Sequence, residues 1–62
     1  MKKYNAIIID DERNIREALG TLLPEYCPEI QLCGSASSAA EGRELLKRTE
    51  VDFIFLDIYM PG

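Results

Sequence analysis

The chain has 62 residues, with 47% apolar residues, 29% charged residues and a formal net charge of -4. This is the composition of one globular domain at most, and it excludes a disordered or fibrous chain. It also excludes a membrane span, for which no apolar run is long enough, and direct nucleic-acid binding, because seven basic residues face eleven acidic ones without a basic cluster.

The cysteine and histidine content limits which metal sites and catalytic groups the chain can contain. Cys27 and Cys33 fit no metal-binding spacing, and we expect both to be free thiols in a reducing compartment. No signal-peptide pattern opens the chain, so the predicted location is the cytoplasm. Histidine, the commonest general base and metal ligand, is absent from the sequence.

The first predicted elements are a strand and a helix. Residues 4–9, which end in three isoleucines, predict a strand that stops at three acidic residues, 10–12. Apolar side chains then recur at helical spacing at Ile15, Ala18, Leu19 and Leu22, while Arg13, Arg16 and Glu17 are predicted to point outward. Pro24 should end or kink this helix, because proline has no N–H and crowds the preceding turn.

A second strand–helix pair and a third strand follow. Residues 30–34 predict a short strand whose Gln31 is typical of a sheet edge. Ser38 and Glu41 form a capping box that predicts a helix start, and Gly42 on the inward side of that helix indicates close contact with the sheet. Residues 51–56 predict the third strand, apolar enough to be buried on both faces, and Asp57 follows it directly.

Strands that alternate with helices predict an α/β fold with a parallel sheet and right-handed crossovers. In such a sheet the carboxyl ends of the first and third strands lie at the same edge, where α/β folds place their sites. If these strands are neighbours, Asp10, Asp11 and Asp57 converge.

Three converging carboxylates repel one another, so one takes up a proton or a cation joins them. Mg²⁺ prefers oxygen ligands and leaves positions open for a phosphoryl oxygen, and a carboxylate beside it is a plausible phosphoryl acceptor. Taken singly, Asp11 could be only the N-cap of the first helix, with Asp10 and Glu12 serving the helix dipole, and Asp57 could only begin a turn. Together they favour a metal and phosphoryl site.

The sequence resembles the receiver domains of two-component response regulators. The resemblance covers the whole chain and rests on residues 7–12, Gly34 with the small residues after it, and residues 55–62. It implies a flavodoxin-like three-layer sandwich with parallel strand order 2-1-3. Residues 26–30 and 56–58 are similar to receivers that precede LytTR-type DNA-binding domains.

The resemblance implies a role for each site residue. Asp57 would accept phosphate from a histidine kinase, Asp11 would bind Mg²⁺ directly, and Asp10 would act largely through water. The main-chain carbonyl of Tyr59 would be a further metal ligand. The domain would be a phosphoacceptor and not an enzyme, would contact DNA only through another domain, and would not bind a membrane.

The chain departs from the family pattern in length. Receivers have five strands, so residues 1–62 are expected to be the amino-terminal portion, without the Thr or Ser and the Lys that follow the fourth and fifth strands. Lys2 and Lys3 lie before the first strand, roughly 20 Å from Asp10, and cannot replace that Lys. We therefore expect impaired phosphotransfer.

Two explanations of the length stay open. The third strand would form an exposed apolar edge, and two copies could pair there to complete a sheet. Alternatively, the residues are a piece of a longer regulator. An Mg²⁺-dependent phosphatase of the haloacid-dehalogenase type is a further alternative, although that class carries a D-x-D pair where this chain has adjacent Asp10 and Asp11.

Overall fold

A computed structural model describes residues 2–57 as three strands that alternate with two helices. The elements are β1 (Tyr4–Ile9), α1 (Arg13–Tyr26), β2 (Ile30–Ala36), α2 (Ala39–Arg48) and β3 (Phe53–Leu56). Within residues 2–57, neither helix has the length and apolar character needed to cross a membrane.

The three strands form a parallel sheet in the order β2-β1-β3, which confirms the predicted topology. The two helices lie on opposite faces. Leu45 of α2 packs against Gly34 of β2, whereas Arg16 and Gly20 of α1 line a groove with Cys33, the neighbour that points to the other face. The fold is therefore the three-layer, flavodoxin-like arrangement that the sequence predicted.

The core of the described residues is centred on β1. Ala6, Ile7, Ile8 and Ile9 are at most 6% exposed, because β1 has a strand on each side and a helix on each face. A strand in this position needs apolar side chains in both directions, which explains its uninterrupted apolar run. Ala36 of β2 completes the core.

The structure shows where α1 begins and where it ends. Pro24 does not end the helix, which continues to Tyr26 and closes with a 2.7 Å hydrogen bond from the Cys27 N–H to the Leu23 carbonyl. Pro24 removes one bond to the carbonyl of Gly20, but Gly20 is exposed, so water can bind that carbonyl instead. The helix begins at Arg13 with Glu12 as its N-cap residue, and its first turn carries no acidic residue.

The strand boundaries differ from the predicted ones at β2 and β3. β2 extends two residues further, to Ala36, because pairing with β1 continues to its end. β3 begins at Phe53, two residues later than predicted. At that end the Asn5 N–H donates to the Asp52 carboxylate at 2.8 Å, while the Asp52 N–H donates to the Asn5 carbonyl at 2.7 Å.

β2 and β3 are the outer strands of the described sheet. Gln31 in β2 is exposed, as its polar character predicted, and an irregularity opposite Ala6 and Ile7 leaves Cys33 without a register partner. In β3, Phe53, Ile54 and Leu56 are 48%, 45% and 53% exposed. The burial on both faces that the sequence predicted for β3 is therefore not met within residues 2–57, whereas the predicted apolar edge is confirmed.

Gly42 permits the closest contact between α2 and the sheet. It is buried, and a Cβ at this position would overlap the side chain of Ile9, with Ile9 Cγ1 only 2.9 Å away. This confirms the prediction that Gly42 lies where helix and sheet approach. Gly20 in α1 is a matched contrast, because a Cβ there would meet no atom within 4 Å.

We expect opposite effects from alanine at these two glycines. Gly42→Ala gains about 1 kcal/mol of helix propensity but forces Ile9 to move within the core, at a cost of about 1–3 kcal/mol, so it should lower the free energy of unfolding. Gly20→Ala should raise it by about 0.5–1 kcal/mol. Urea denaturation of both variants tests this, and a stabilising Gly42→Ala would contradict the packing.

Candidate functional site

Main-chain hydrogen bonds place two carboxylates at the same edge of the sheet. The Asp10 N–H donates to the Ala36 carbonyl at 3.0 Å, and the Asp57 N–H donates to the Ile9 carbonyl at 3.0 Å. Both bonds continue the parallel ladders of β1 by one residue. The side chains that follow β1 and β3 are therefore held beside each other by the sheet itself.

The three predicted carboxylates converge at this edge. One oxygen from each of Asp10, Asp11 and Asp57 can be chosen so that all three lie within 4.8 Å of one another. Their environments differ: Asp10 is 8% exposed, Asp57 is half-buried and Asp11 is exposed. The acidic cluster thus runs from the end of the core to solvent.

Asp10 also organises the start of α1. Its Oδ1 accepts a 2.9 Å hydrogen bond from the N–H of Glu12, the N-cap residue, whose own side chain makes no capping bond. The alternative in which Asp11 serves as the N-cap is therefore wrong. Asp11 is left at the surface with its carboxylate directed to the cluster.

An open cleft of about 420 Å³ lies beside the cluster, between α1 and β3. Ile15, Leu19 and Phe55 contribute apolar side chains to its wall, and Asp10 and Asp57 lie at its polar end. The cleft gives a ligand access to the carboxylates from the side of the sheet that α1 covers.

A fourth acidic side chain, Glu41, is ordered next to this edge, where β2 leads into α2. The Ser38 hydroxyl accepts from the Glu41 N–H at 3.2 Å, as the capping box predicted. The Glu41 carboxylate, however, accepts from the Ser37 N–H at 3.0 Å and the Ser37 hydroxyl at 2.9 Å, not from Ser38. These two bonds from Ser37 lower the pKa of Glu41 below its ordinary value of 4.5, and the charge of Arg16 acts in the same direction.

Sequence reasoning missed Arg16. Its Nη1 donates to the main-chain carbonyl of Asp10 at 2.8 Å, although helical periodicity placed it on the outward face. Arg13, on the same predicted face, pairs with Glu17 at 3.1 Å at the surface. The sequence holds no signal that separates these two arginines. Tyr59, predicted to offer a carbonyl to the metal, lies outside the described residues.

Residues 6–62 match the response regulator receiver domain. The chain belongs to this family. The resemblance drawn from residues 7–12 and 55–62 is confirmed, and the family match favours a receiver over the haloacid-dehalogenase alternative.

Individual relatives support the same assignment. The receiver is 46% identical over 57 residues to an uncharacterized response regulatory protein of Vibrio cholerae, covering 92% of this chain and 24% of the relative. It is 41% identical over 56 residues to an uncharacterized response regulatory protein of Vibrio parahaemolyticus, covering 90% and 23%. It is also 40% identical over 60 residues to a protein-glutamate methylesterase/protein-glutamine glutaminase of Rhodopseudomonas palustris, covering 97% and 16%.

The chain therefore spans about a quarter or less of the length of these relatives. No solved structure gives a significant match to it.

The hydrogen bonds at Glu41 predict a pH dependence. Because the folded-state pKa is lowered, ionised Glu41 stabilises the fold fully above its ordinary value of 4.5, and this contribution is lost as the pH falls through the lowered pKa. Ser37→Ala removes the hydroxyl donor but keeps the main-chain donor, so the pKa of Glu41 should rise part of the way toward 4.5. NMR titration of the Glu41 carboxyl carbon measures this.

Ser38→Ala is the matched control. It removes the cap to the Glu41 N–H, which should cost about 1 kcal/mol of stability, but leaves both bonds to the Glu41 carboxylate in place. An equal rise of the Glu41 pKa in both variants would contradict a specific role for Ser37.

Proposed function

We propose that this receiver domain accepts a phosphoryl group from a histidine kinase on Asp57, with Mg²⁺ held by the acidic cluster. The observation that carries the proposal is the convergence of Asp10, Asp11 and Asp57 within 4.8 Å in a chain of the receiver family. Asp57 is the proposed acceptor because it is half-buried at the end of β3 and lies at the cleft.

The chemistry of the donor set fits Mg²⁺. Carboxylate oxygens are the hard ligands that Mg²⁺ selects, and one or two of them suffice because the ion keeps several waters. We propose that Asp11, the most exposed of the three, is a direct ligand. Asp10 has one oxygen engaged by the Glu12 N–H, which suits a contact through water. We also propose Asp57 and the Tyr59 carbonyl as ligands.

The proposed transfer is a displacement at phosphorus. A carboxylate oxygen of Asp57 attacks the phosphoryl group of a phosphohistidine, so that a P–O bond forms, the P–N bond breaks and the imidazole nitrogen leaves. When bound, Mg²⁺ supplies positive charge that offsets the charge on the transferring group. In this proposal the domain is a phosphoacceptor, and self-catalysed transfer belongs to the complete receiver.

The wider context of the domain is also a proposal. We place it in the cytoplasm, which suits the free thiols of Cys27 and Cys33. The similarity of residues 26–30 and 56–58 to receivers that precede LytTR-type domains supports a DNA-binding output through another domain. The Rhodopseudomonas palustris relative, named a methylesterase/glutaminase, supports an enzymatic output as the second candidate.

The acceptor assignment has a direct test. Incubation of the full-length protein with a phosphorylated histidine kinase and Mg²⁺ should add one phosphoryl group, detected by intact-protein mass spectrometry. Asp57→Asn should abolish the addition, because an amide oxygen is a much weaker nucleophile than a carboxylate. A chelator should suppress it in the wild type.

Asp52→Asn is the matched control. Asp52 precedes the opposite end of β3, where its carboxylate binds the Asn5 N–H, so the variant should be phosphorylated at the wild-type level. Full labelling of Asp57→Asn would contradict the assignment.

A second proposal concerns self-association through β3. Phe53, Ile54 and Leu56 expose about half of their surface along the outer strand of the described sheet. Apolar side chains on an outer strand favour pairing with another strand. We propose that two copies of the 62-residue chain pair through β3 about a two-fold axis, which would bury these side chains.

Native mass spectrometry of the 62-residue chain should then show a dimer. Ile54→Lys places a charge on the outer strand and should yield a monomer. Gln31→Lys makes a comparable change on β2, at the other side of the sheet, and should leave the dimer intact. A wild-type chain that is monomeric and folded would contradict pairing.

A further inference from the structure

Asp10 forms hydrogen bonds through its main-chain N–H, its main-chain carbonyl and its side-chain carboxylate. Its N–H donates to the Ala36 carbonyl at 3.0 Å, and its carbonyl accepts from Arg16 Nη1 at 2.8 Å. Its carboxylate accepts from the Glu12 N–H at 2.9 Å. The bond from the Asp10 N–H belongs to the sheet, and the bond to the Asp10 carboxylate belongs to the β1–α1 turn. The bond to the Asp10 carbonyl comes from a side chain six residues further along the chain.

The carbonyl that Arg16 binds belongs to the peptide unit that joins Asp10 to Asp11. Because a peptide unit is planar, the direction of this carbonyl fixes where the N–H and Cα of Asp11 lie. Asp11 is exposed, so packing does not determine its orientation. The bond from Arg16 therefore orients the backbone from which the Asp11 carboxylate reaches the cluster.

Arg16 delivers this bond without occupying the acidic cluster. Its guanidinium binds a main-chain oxygen, so this bond uses none of the carboxylate oxygens of the cluster. The same guanidinium is near enough to Glu41 to contribute to its electrostatic environment. Arg16 is half-buried beside the β1–α1 turn.

We infer that Arg16 is a positioning residue for the divalent-cation site: it holds the Asp10–Asp11 peptide so that the carboxylates of Asp10, Asp11 and Asp57 converge. This inference rests on the proposed Mg²⁺ site and adds to it a residue outside the acidic motifs.

A purely electrostatic role and a positioning role for Arg16 predict opposite changes in Mg²⁺ affinity, which makes the inference testable. If only its charge mattered, its removal would reduce the repulsion of a cation and Mg²⁺ would bind more tightly. If the bond to the Asp10 carbonyl matters, its removal frees the peptide and Mg²⁺ binds more weakly. Groups that orient metal ligands typically change metal affinity by about 10- to 100-fold when they are removed.

The experiment is Mg²⁺ titration of the full-length protein by isothermal titration calorimetry, with NMR of the amides of Asp11 and Glu12. Arg16→Met should raise the Kd for Mg²⁺ by about 10-fold and shift both amide signals before Mg²⁺ is added. Arg16→Lys, which retains a charged donor, should recover part of the affinity. Arg13→Met is the matched control on the same helix, and its Kd should be unchanged or slightly lower.

Asp11→Asn separates failure of the inference from failure of the proposed site. If the wild type does not bind Mg²⁺, or Asp11→Asn binds as tightly as the wild type, the proposed site is wrong. If Asp11→Asn weakens binding but Arg16→Met does not, the site stands and the inference is overturned.

Stability is checked by the unfolding midpoint without Mg²⁺. If Arg16→Met does not fold, Arg16→Gln, a shorter neutral variant, is titrated in its place, and wild-type affinity in that variant overturns the inference. If neither variant folds, Arg16 is required for the fold as a whole, and the inference of a specific positioning role is also overturned.

Discussion

The position of β1 between two parallel strands is the constraint on which the rest of the described structure depends. Its ladders to β2 and β3 bury Ala6, Ile7, Ile8 and Ile9 almost completely. The same ladders extend one residue beyond the core, through the N–H groups of Asp10 and Asp57. Core formation and the placement of two carboxylates are therefore consequences of one hydrogen-bonding pattern.

The site is assembled at the point where the strands leave the core, and this explains its mixed character. Asp10 is nearly buried because it continues β1, whereas Asp11 is exposed because the chain has already turned toward α1. In the proposed function, a half-buried acceptor, Asp57, lies beside an exposed metal ligand, Asp11, which suits delivery of a phosphoryl group by a partner from solvent. The apolar wall of the cleft, formed by Ile15, Leu19 and Phe55, borders the same carboxylates.

Two serines and one arginine order the loops around this edge. Ser37 holds the carboxylate of Glu41, and Ser38 caps α2. Arg16 donates a hydrogen bond to the carbonyl of Asp10. None of these contacts uses a carboxylate oxygen of the acidic cluster, because each of them ends on a main-chain group or on Glu41. The close contact between Gly42 and Ile9 holds the start of α2, which follows Ser37 and Ser38, against the sheet.

The sequence by itself determined the order of the elements, the parallel sheet, the inward Gly42 and the convergence of Asp10, Asp11 and Asp57. These follow from local periodicity and from the rule that parallel strands end at one edge, and both can be read from residue types and spacing. The family assignment followed from residues 7–12 and 55–62, whose motifs are specific.

Only the tertiary structure decided the rest. Arg13 and Arg16 are equivalent in any periodic pattern, and they are separated only because Arg16 comes within 2.8 Å of a carbonyl on another segment. The helix α1 continues past Pro24 with Gly20 exposed to water, and Asn5 and Asp52 exchange two hydrogen bonds just before β3 begins. The geometry of the loop decides that the Glu41 carboxylate accepts hydrogen bonds from Ser37 and not from Ser38. Each of these outcomes is a choice among hydrogen-bond partners, and that choice depends on distances between segments that sequence spacing does not contain.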